Sequence, residues 1–144
     1  STSKVSILVG KSLNNISSLQ EYAGGEIAID TLQYIDEIEK LLKQAKNEYR
    51  NGNSQLAFDL VSEAYLDNYE FVEGPLGEVD PDLMMKIEIN MREELRNMIK
   101  SGSPVSEVDV QIDMILSDLE GARMVVPEFV QVLKLKVVLK FALS

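Results

Sequence analysis

The chain has 144 residues, of which 45% are apolar and 26% charged, a composition typical of one globular domain with a packed core. It contains no cysteine and no histidine, which excludes Cys-His and Ser-His-Asp catalysis and zinc sites built on thiolate or imidazole ligands. The formal net charge of −10 argues against a nucleic-acid partner. Because cysteine and histidine are absent, any metal must be held by oxygen ligands.

Two helices are predicted within the first 50 residues. Apolar residues from Val5 to Leu19 fall roughly on one helical face, and Gly24-Gly25 is expected to end this first helix. Over residues 26–50, apolar residues recur at spacings of three and four, with the favourable pair Asp36/Lys40 on the opposite face. Asn51-Gly52-Asn53 predicts a turn, after which Ser54 is the expected N-cap.

The third predicted helix, residues 54–73, carries a stripe of acidic side chains. Residues 51–85 contain eight acidic residues and no basic one. The first five acids follow one another at spacings of 4, 4, 3 and 3, which places them on one helical face: Asp59, Glu63, Asp67, Glu70 and Glu73. Such a stripe is either well solvated or neutralised by a cation or a basic partner. Gly74-Pro75 is expected to end the helix.

Two further helices are predicted, each opening with a capping residue followed by proline. Asp80-Pro81 opens the fourth, which Gly102 ends, and Ser103-Pro104 opens the fifth, which Pro127 closes. The apolar stripes of all these segments together predict an all-α fold, an antiparallel bundle of four to five amphipathic helices over residues 1–126.

Residues 127–144 are predicted to form a separate tail. From Leu133 onward, apolar residues alternate with lysines and other residues, a period typical of a strand. The tail is therefore expected to be short and strand-like, or disordered. It has three alternative roles: pairing with another copy, lying on a membrane surface, or remaining unstructured. No apolar run of 18 residues predicts a transmembrane helix.

Several motifs follow one another between residues 38 and 126. The most specific is A-Y-x-D-x-Y-E-x-x-E, formed by Ala64, Tyr65, Asp67, Tyr69, Glu70 and Glu73. It is followed by D-P-x-L, at Asp80, Pro81 and Leu83, and by I-E-x-x-x-R-x-x-L-R-x-x-I, at Ile87, Glu88, Arg92, Leu95, Arg96 and Ile99. With these motifs the stretch resembles the extracytoplasmic helical domain of ferric-uptake-type iron permeases and of related secreted or surface-anchored archaeal proteins.

This resemblance implies an extracytoplasmic location, secreted or at the cell surface, and a link to iron. It does not imply transport, because the membrane portion of the permeases is missing. Their intramembrane Arg-Glu-x-x-Glu signature is missing too, since the segment that begins at Arg92-Glu93 ends in Arg96.

The acids of the third helix are the candidate metal ligands. Asp67, Glu70 and Glu73 lie within two turns and are able to converge on a hard cation such as iron or Ca²⁺. Phenol oxygens and one further carboxylate are additional candidates: Tyr65, Tyr69 and Glu88. The alternative is a solvated acidic face with two core tyrosines.

Two arginines of the fourth helix are expected to make structural ion pairs. Arg92 and Arg96 lie one turn apart, within reach of Glu88 or of acids on the preceding helix. An alternative role is that they close over the acidic stripe when no metal is bound.

The sequence contains no complete catalytic motif and no nucleophile with a visible base, which predicts a protein that is not an enzyme. No small-molecule substrate is evident. The leading hypothesis is a non-catalytic extracytoplasmic helical module that binds a hard cation through its acidic face. The alternative is a structural surface or assembly subunit that self-associates through residues 129–144.

Overall fold

The predicted apolar stripes form helices that pack against one another. A computed structural model describes the backbone of residues 2–143 and the side chains of residues 24–143. It confirms the all-α fold, with four helices packed together and no strand in the described part of the chain. We number the helices α1 (Thr2–Arg50), α2 (54–79), α3 (81–101), α4 (Val105–Val125) and α5 (Phe129–Leu143).

Two consecutive helices, α2 and α3, each contain a π-helical segment, where the backbone hydrogen bonds span five residues instead of four. In α2, the π segment Ala64–Tyr69 lies between the α-helical parts Ser54–Glu63 and Glu70–Val79. In α3, the π segment Asn90–Leu95 lies between the α-helical parts Pro81–Ile89 and Arg96–Ser101. A π turn holds an extra residue, so side chains on its two sides are rotated relative to a regular α-helix.

The core lies between α1, α2, α3 and α4. It is formed by the apolar stripes that the sequence predicts, including the fully buried residues Ile35, Ile38, Leu42, Val61, Met91, Leu95, Ile112, Ile115 and Leu119. Full burial of one such side chain contributes about 1.5–3 kcal/mol. Packing of these faces, rather than intrinsic helix propensity, is therefore the main source of helical stability.

The ends of α3 match the sequence signals. The side chain of Asp80 accepts a hydrogen bond from the backbone N–H of Leu83 at 3.1 Å, and Pro81 is the first residue of the helix. At the other end Gly102 has a φ of +73°, a left-handed conformation that glycine adopts without steric cost. At the start of α2, however, the N-cap is Asn53 rather than Ser54.

Two predicted helix ends are wrong, because the helices continue through glycine. α1 runs without interruption through Gly24-Gly25, so the two helices predicted for residues 1–50 are one helix of 49 residues. A Cβ atom on Gly24 would lie 2.8 Å from Cδ1 of Leu133, so this glycine permits a close approach of α5. Likewise, α2 continues through Gly74-Pro75 to Val79, and the burial of Leu76 favours this last turn.

The prediction of a strand-like or disordered tail is also wrong, because residues 129–143 form α5. On a helix, the alternating pattern produces two apolar faces that lie roughly opposite each other. Val130, Leu133 and Val137 are half-buried on one face, and Val130 and Leu133 contact Gly24 of α1. The other face is exposed. A helix with two apolar faces and a strand with one are therefore hard to distinguish by period alone.

α1 is the common support of the other helices. Ion pairs join Arg50 to Asp109 at 2.6 Å and Lys46 to Asp113 at 2.8 Å, so α4 runs antiparallel to the C-terminal half of α1. A 3-10 turn at Val126–Glu128 leads into α5, which packs beside Gly24, further along the same helix. At about 1.5 Å per residue α1 is about 73 Å long. α5 also contacts the end of α2, where Lys136 pairs with Glu78 at 2.7 Å.

Candidate functional site

Three of the residues selected from the sequence meet between α2 and α3. The hydroxyl of Tyr65 donates a hydrogen bond to Oε1 of Glu88 at 3.3 Å, and Nη1 of Arg92 donates to the same oxygen at 3.1 Å. The guanidinium carbon of Arg92 is 5.9 Å from the centre of the Tyr65 ring. Tyr65 and Arg92 both belong to π segments, so the two segments face each other across this contact.

Two carboxylates of α2 lie next to this contact. Burial raises the pKa of the Glu73 carboxyl, and the negative charges of Glu88 and Glu70 raise it further, while Arg92 lowers it. Glu70, Glu73 and Tyr65 line a shallow cavity of about 280 Å³. We call Tyr65, Glu70, Glu73, Glu88 and Arg92 the carboxylate cluster. It brings three like charges together with a single cation.

Tyr69, the second candidate phenol, is a core residue. It is fully buried, and its hydroxyl donates a 2.7 Å hydrogen bond to the backbone carbonyl of Met84. Burial raises the pKa of the phenol, and the charges of Glu73 and Glu88 raise it further. Tyr69 therefore stays protonated and holds α2 to α3, and its oxygen is directed at the backbone rather than toward the cavity.

Asp67 is not among the residues that line the cavity of the carboxylate cluster. Its side chain is exposed and makes no hydrogen bond or ion pair with any described side chain. The π segment that contains Asp67 shifts the register on which the single acidic face was based. Within residues 24–143, no three acidic side chains are arranged to hold a metal ion as they stand, so Asp67, Glu70 and Glu73 do not form a ready-made site.

The two arginines of α3 differ in their partners. Arg92 pairs with Glu88, one turn before it, and also with Glu93 at 2.8 Å. The guanidinium of Arg96 lies 5.0 Å from the centre of the Phe58 ring, a cation–π contact with α2. Its buried Nε has no hydrogen-bond partner in the described part of the chain. Of these two arginines, Arg92 is therefore the one that pairs with a carboxylate of the cluster.

A second polar cavity was missed by the sequence reasoning. Its volume is about 400 Å³, and Asp30, Tyr34, Glu37 and Asn68 are among its lining residues. Asn68 is only 8% exposed and donates a hydrogen bond of 3.2 Å to the carbonyl of Glu63, within the π region. An asparagine on the apolar face of the third predicted helix is the signal that identifies this position.

Comparison with protein-family models, curated proteins and solved structures gives no match to this chain. The resemblance of residues 38–126 to the iron-permease domain therefore stays a prediction. Among the described helices, none combines the length and the apolar character needed to cross a membrane.

Proposed function

We propose that this chain is a non-catalytic helical-bundle module that binds a hard cation, such as Ca²⁺ or ferric iron, at Glu70, Glu73 and Glu88. The observation that carries the proposal is the position of Glu70 and Glu73 at one cavity beside Glu88; burial raises the pKa of Glu73, and the charges of Glu88 and Glu70 raise it further. A bound cation relieves this repulsion. The available ligands are carboxylate oxygens with the phenol oxygen of Tyr65 beside them, a donor set that suits hard ions.

Arg92 takes the place of the cation in the structure as it stands. Its guanidinium shares Glu88 with the hydroxyl of Tyr65, so a metal ion must displace Arg92 before Glu88 becomes a ligand. The Arg92 side chain is 39% exposed while that of Glu88 is 16% exposed, so water reaches the guanidinium and displacement of Arg92 by a metal ion is feasible. Because a metal ion must compete with Arg92 for Glu88, we expect it to bind with modest affinity. The carboxylate ligands, rather than a rigid site of fixed size, are expected to set the preference among ions.

The location of the module is a separate part of the proposal. An extracytoplasmic position, secreted or at the cell surface, is supported by the resemblance of residues 38–126 to the permease domain. The absence of cysteine and histidine limits the ligands to oxygen in any compartment.

Calorimetric titration of the chelator-stripped protein with Ca²⁺, Mn²⁺ and ferric citrate tests the cation site. We expect saturable heat from at least one ion, lost in Glu73→Gln and in Glu88→Gln. Asp67→Asn is the matched control, because Asp67 lies on the same helix but outside the cluster. Absence of saturable heat from all three ions, in protein with an unchanged circular dichroism spectrum, contradicts the proposal. Equal loss in the control contradicts this choice of ligands.

A further inference from the structure

One face of α5 is apolar and uncovered. Leu135, Val138 and Leu139 are 60%, 61% and 50% exposed, and Leu143, one turn further, is 87% exposed. Their spacings place them on one side of the helix, roughly opposite the face that packs on α1. We call these four residues the outer stripe. Scattered exposed apolar residues are common, but a helix that is apolar on both faces is typical of one that is covered on both.

The charge of this part of the molecule is opposite to that of the core. Residues 26–128 carry nine basic and 23 acidic residues, a formal charge of −14. Residues 1–25 and 129–144 together carry five basic residues and one acidic residue, a formal charge of +4, and residues 129–144 contain no acid. α5 is thus a basic helix on an acidic molecule.

Lysines lie beside the outer stripe. Lys136 and Lys140 are one turn apart at its edge, and both are exposed. Lys136 contacts Glu78 at 2.7 Å, but that pair is itself about half exposed. Long lysine side chains can place their charge in water or among headgroups while their methylene groups cover apolar surface. An apolar stripe flanked by lysines is complementary to a surface that has an anionic outer layer and an apolar interior.

We infer that the outer stripe of α5 docks on an anionic lipid surface. The apolar side chains enter the boundary between headgroups and acyl chains, and Lys136 and Lys140 remain at the level of the phosphates. Because the outer stripe lies roughly opposite the face of α5 that packs on α1, this docking leaves the contact between α5 and α1 intact. A second copy fits less well, because pairing stripe against stripe would bring the lysines of both copies to one interface.

Sedimentation of the full chain with phospholipid vesicles, in the presence of a chelator, tests this inference. We expect binding to vesicles containing phosphatidylglycerol, weak or no binding to pure phosphatidylcholine, and a decrease with added salt. Leu139→Glu should reduce binding at least tenfold. Met124→Glu makes the same change at an 80% exposed apolar position of α4 and should leave binding intact. Lys140→Gln should weaken binding about fivefold, and Lys100→Gln should not.

Three results would overturn the inference. The first is no binding of the wild type to either kind of vesicle. The second is an equal loss in Leu139→Glu and Met124→Glu, which would trace the effect to net charge. The third is concentration-dependent dimerisation, measured by light scattering and abolished by Leu139→Glu, in a protein that binds no vesicle. That result would assign the outer stripe to a second copy of the chain. Cation binding is measured separately, so either proposal can fail alone.

Discussion

The hydroxyl of Tyr65 and the carboxylate of Glu88 are joined by a hydrogen bond of 3.3 Å across the interface of α2 and α3. The same carboxylate oxygen accepts from Arg92, so a neutral donor and a cation share one acceptor. Tyr65 and Arg92 both lie in π segments, where the extra residue rotates side chains relative to a regular α-helix. The chemistry of the carboxylate cluster is thus coupled to the register of both helices.

Removal of a single hydroxyl should separate the roles of the two tyrosines. Tyr69→Phe leaves the buried carbonyl of Met84 without this donor, and we expect a loss of about 1–3 kcal/mol in the free energy of unfolding. Tyr65→Phe removes a longer bond to a partly exposed carboxylate, and a loss of about 0.5–1.5 kcal/mol is expected. Urea denaturation of both variants measures the difference. Equal losses would mean that Tyr69 is not the more important interhelical donor.

The raised pKa of Glu73 predicts a dependence of stability on pH. The folded state holds the Glu73 proton more tightly than the unfolded state, so stability falls as pH rises from the ordinary value of 4.5 through the raised folded value. Glu73→Gln should therefore be more stable than the wild type at pH 7, by less than about 1 kcal/mol, and no more stable near pH 4. The exposed Glu63→Gln is the control. Denaturant midpoints that do not differ between the two variants at pH 7 would contradict the prediction.

Removal of Arg92 should strengthen cation binding. Arg92→Gln frees Glu88 from its guanidinium partner, and we expect about a two- to fivefold lower Kd for the bound ion. Arg96→Gln should not change the Kd, because Arg96 lies over the Phe58 ring, away from the carboxylates. Calorimetry on both variants is the measurement. Weaker binding in Arg92→Gln would mean that Arg92 supports the site rather than competing for it.

Gly24 and Gly25 are adjacent in α1, so the effect of the same substitution on stability can be compared at the two positions. At Gly25 an added Cβ meets no atom within 4 Å, so Gly25→Ala should stabilise the protein by about 0.5–1 kcal/mol through helix propensity. At Gly24 the added Cβ meets Leu133, so Gly24→Ala should gain less or be destabilising. Thermal unfolding of the two variants measures this difference. The same gain at both positions would show that α5 does not pack closely on Gly24.

The sequence was sufficient to predict the helical bundle because its core follows the helical period closely. Ile35, Ile38 and Leu42 on α1 and Ile112 and Ile115 on α4 recur at spacings of three and four, and all are fully buried. The cap at Asp80 was also predictable, because it depends on local chemistry alone. Such features need no knowledge of distant residues.

The remaining features depend on contacts between distant parts of the chain. The helical state of residues around Gly24 is linked to Leu133 of α5, which no local pattern reveals. The regular α-helical spacing on which the acidic face was predicted does not account for the π segment at Ala64–Tyr69, which contains Asp67, and Glu70 and Glu73 line a cavity that Asp67 does not. Tyr65, Glu88 and Arg92 were identified individually as candidates, but their meeting at one oxygen required the structure.

The antiparallel packing of α5 on α1 also has a consequence for biosynthesis. Gly24 leaves the ribosome long before Leu133, its partner in the folded protein. The α1 surface around Gly24 therefore stays uncovered while α2, α3 and α4 are translated and fold on the second half of α1. A chain that ends before Phe129 and has left the ribosome should therefore contain the folded four-helix core, yet still expose the α1 surface around Gly24 to chaperones and to aggregation.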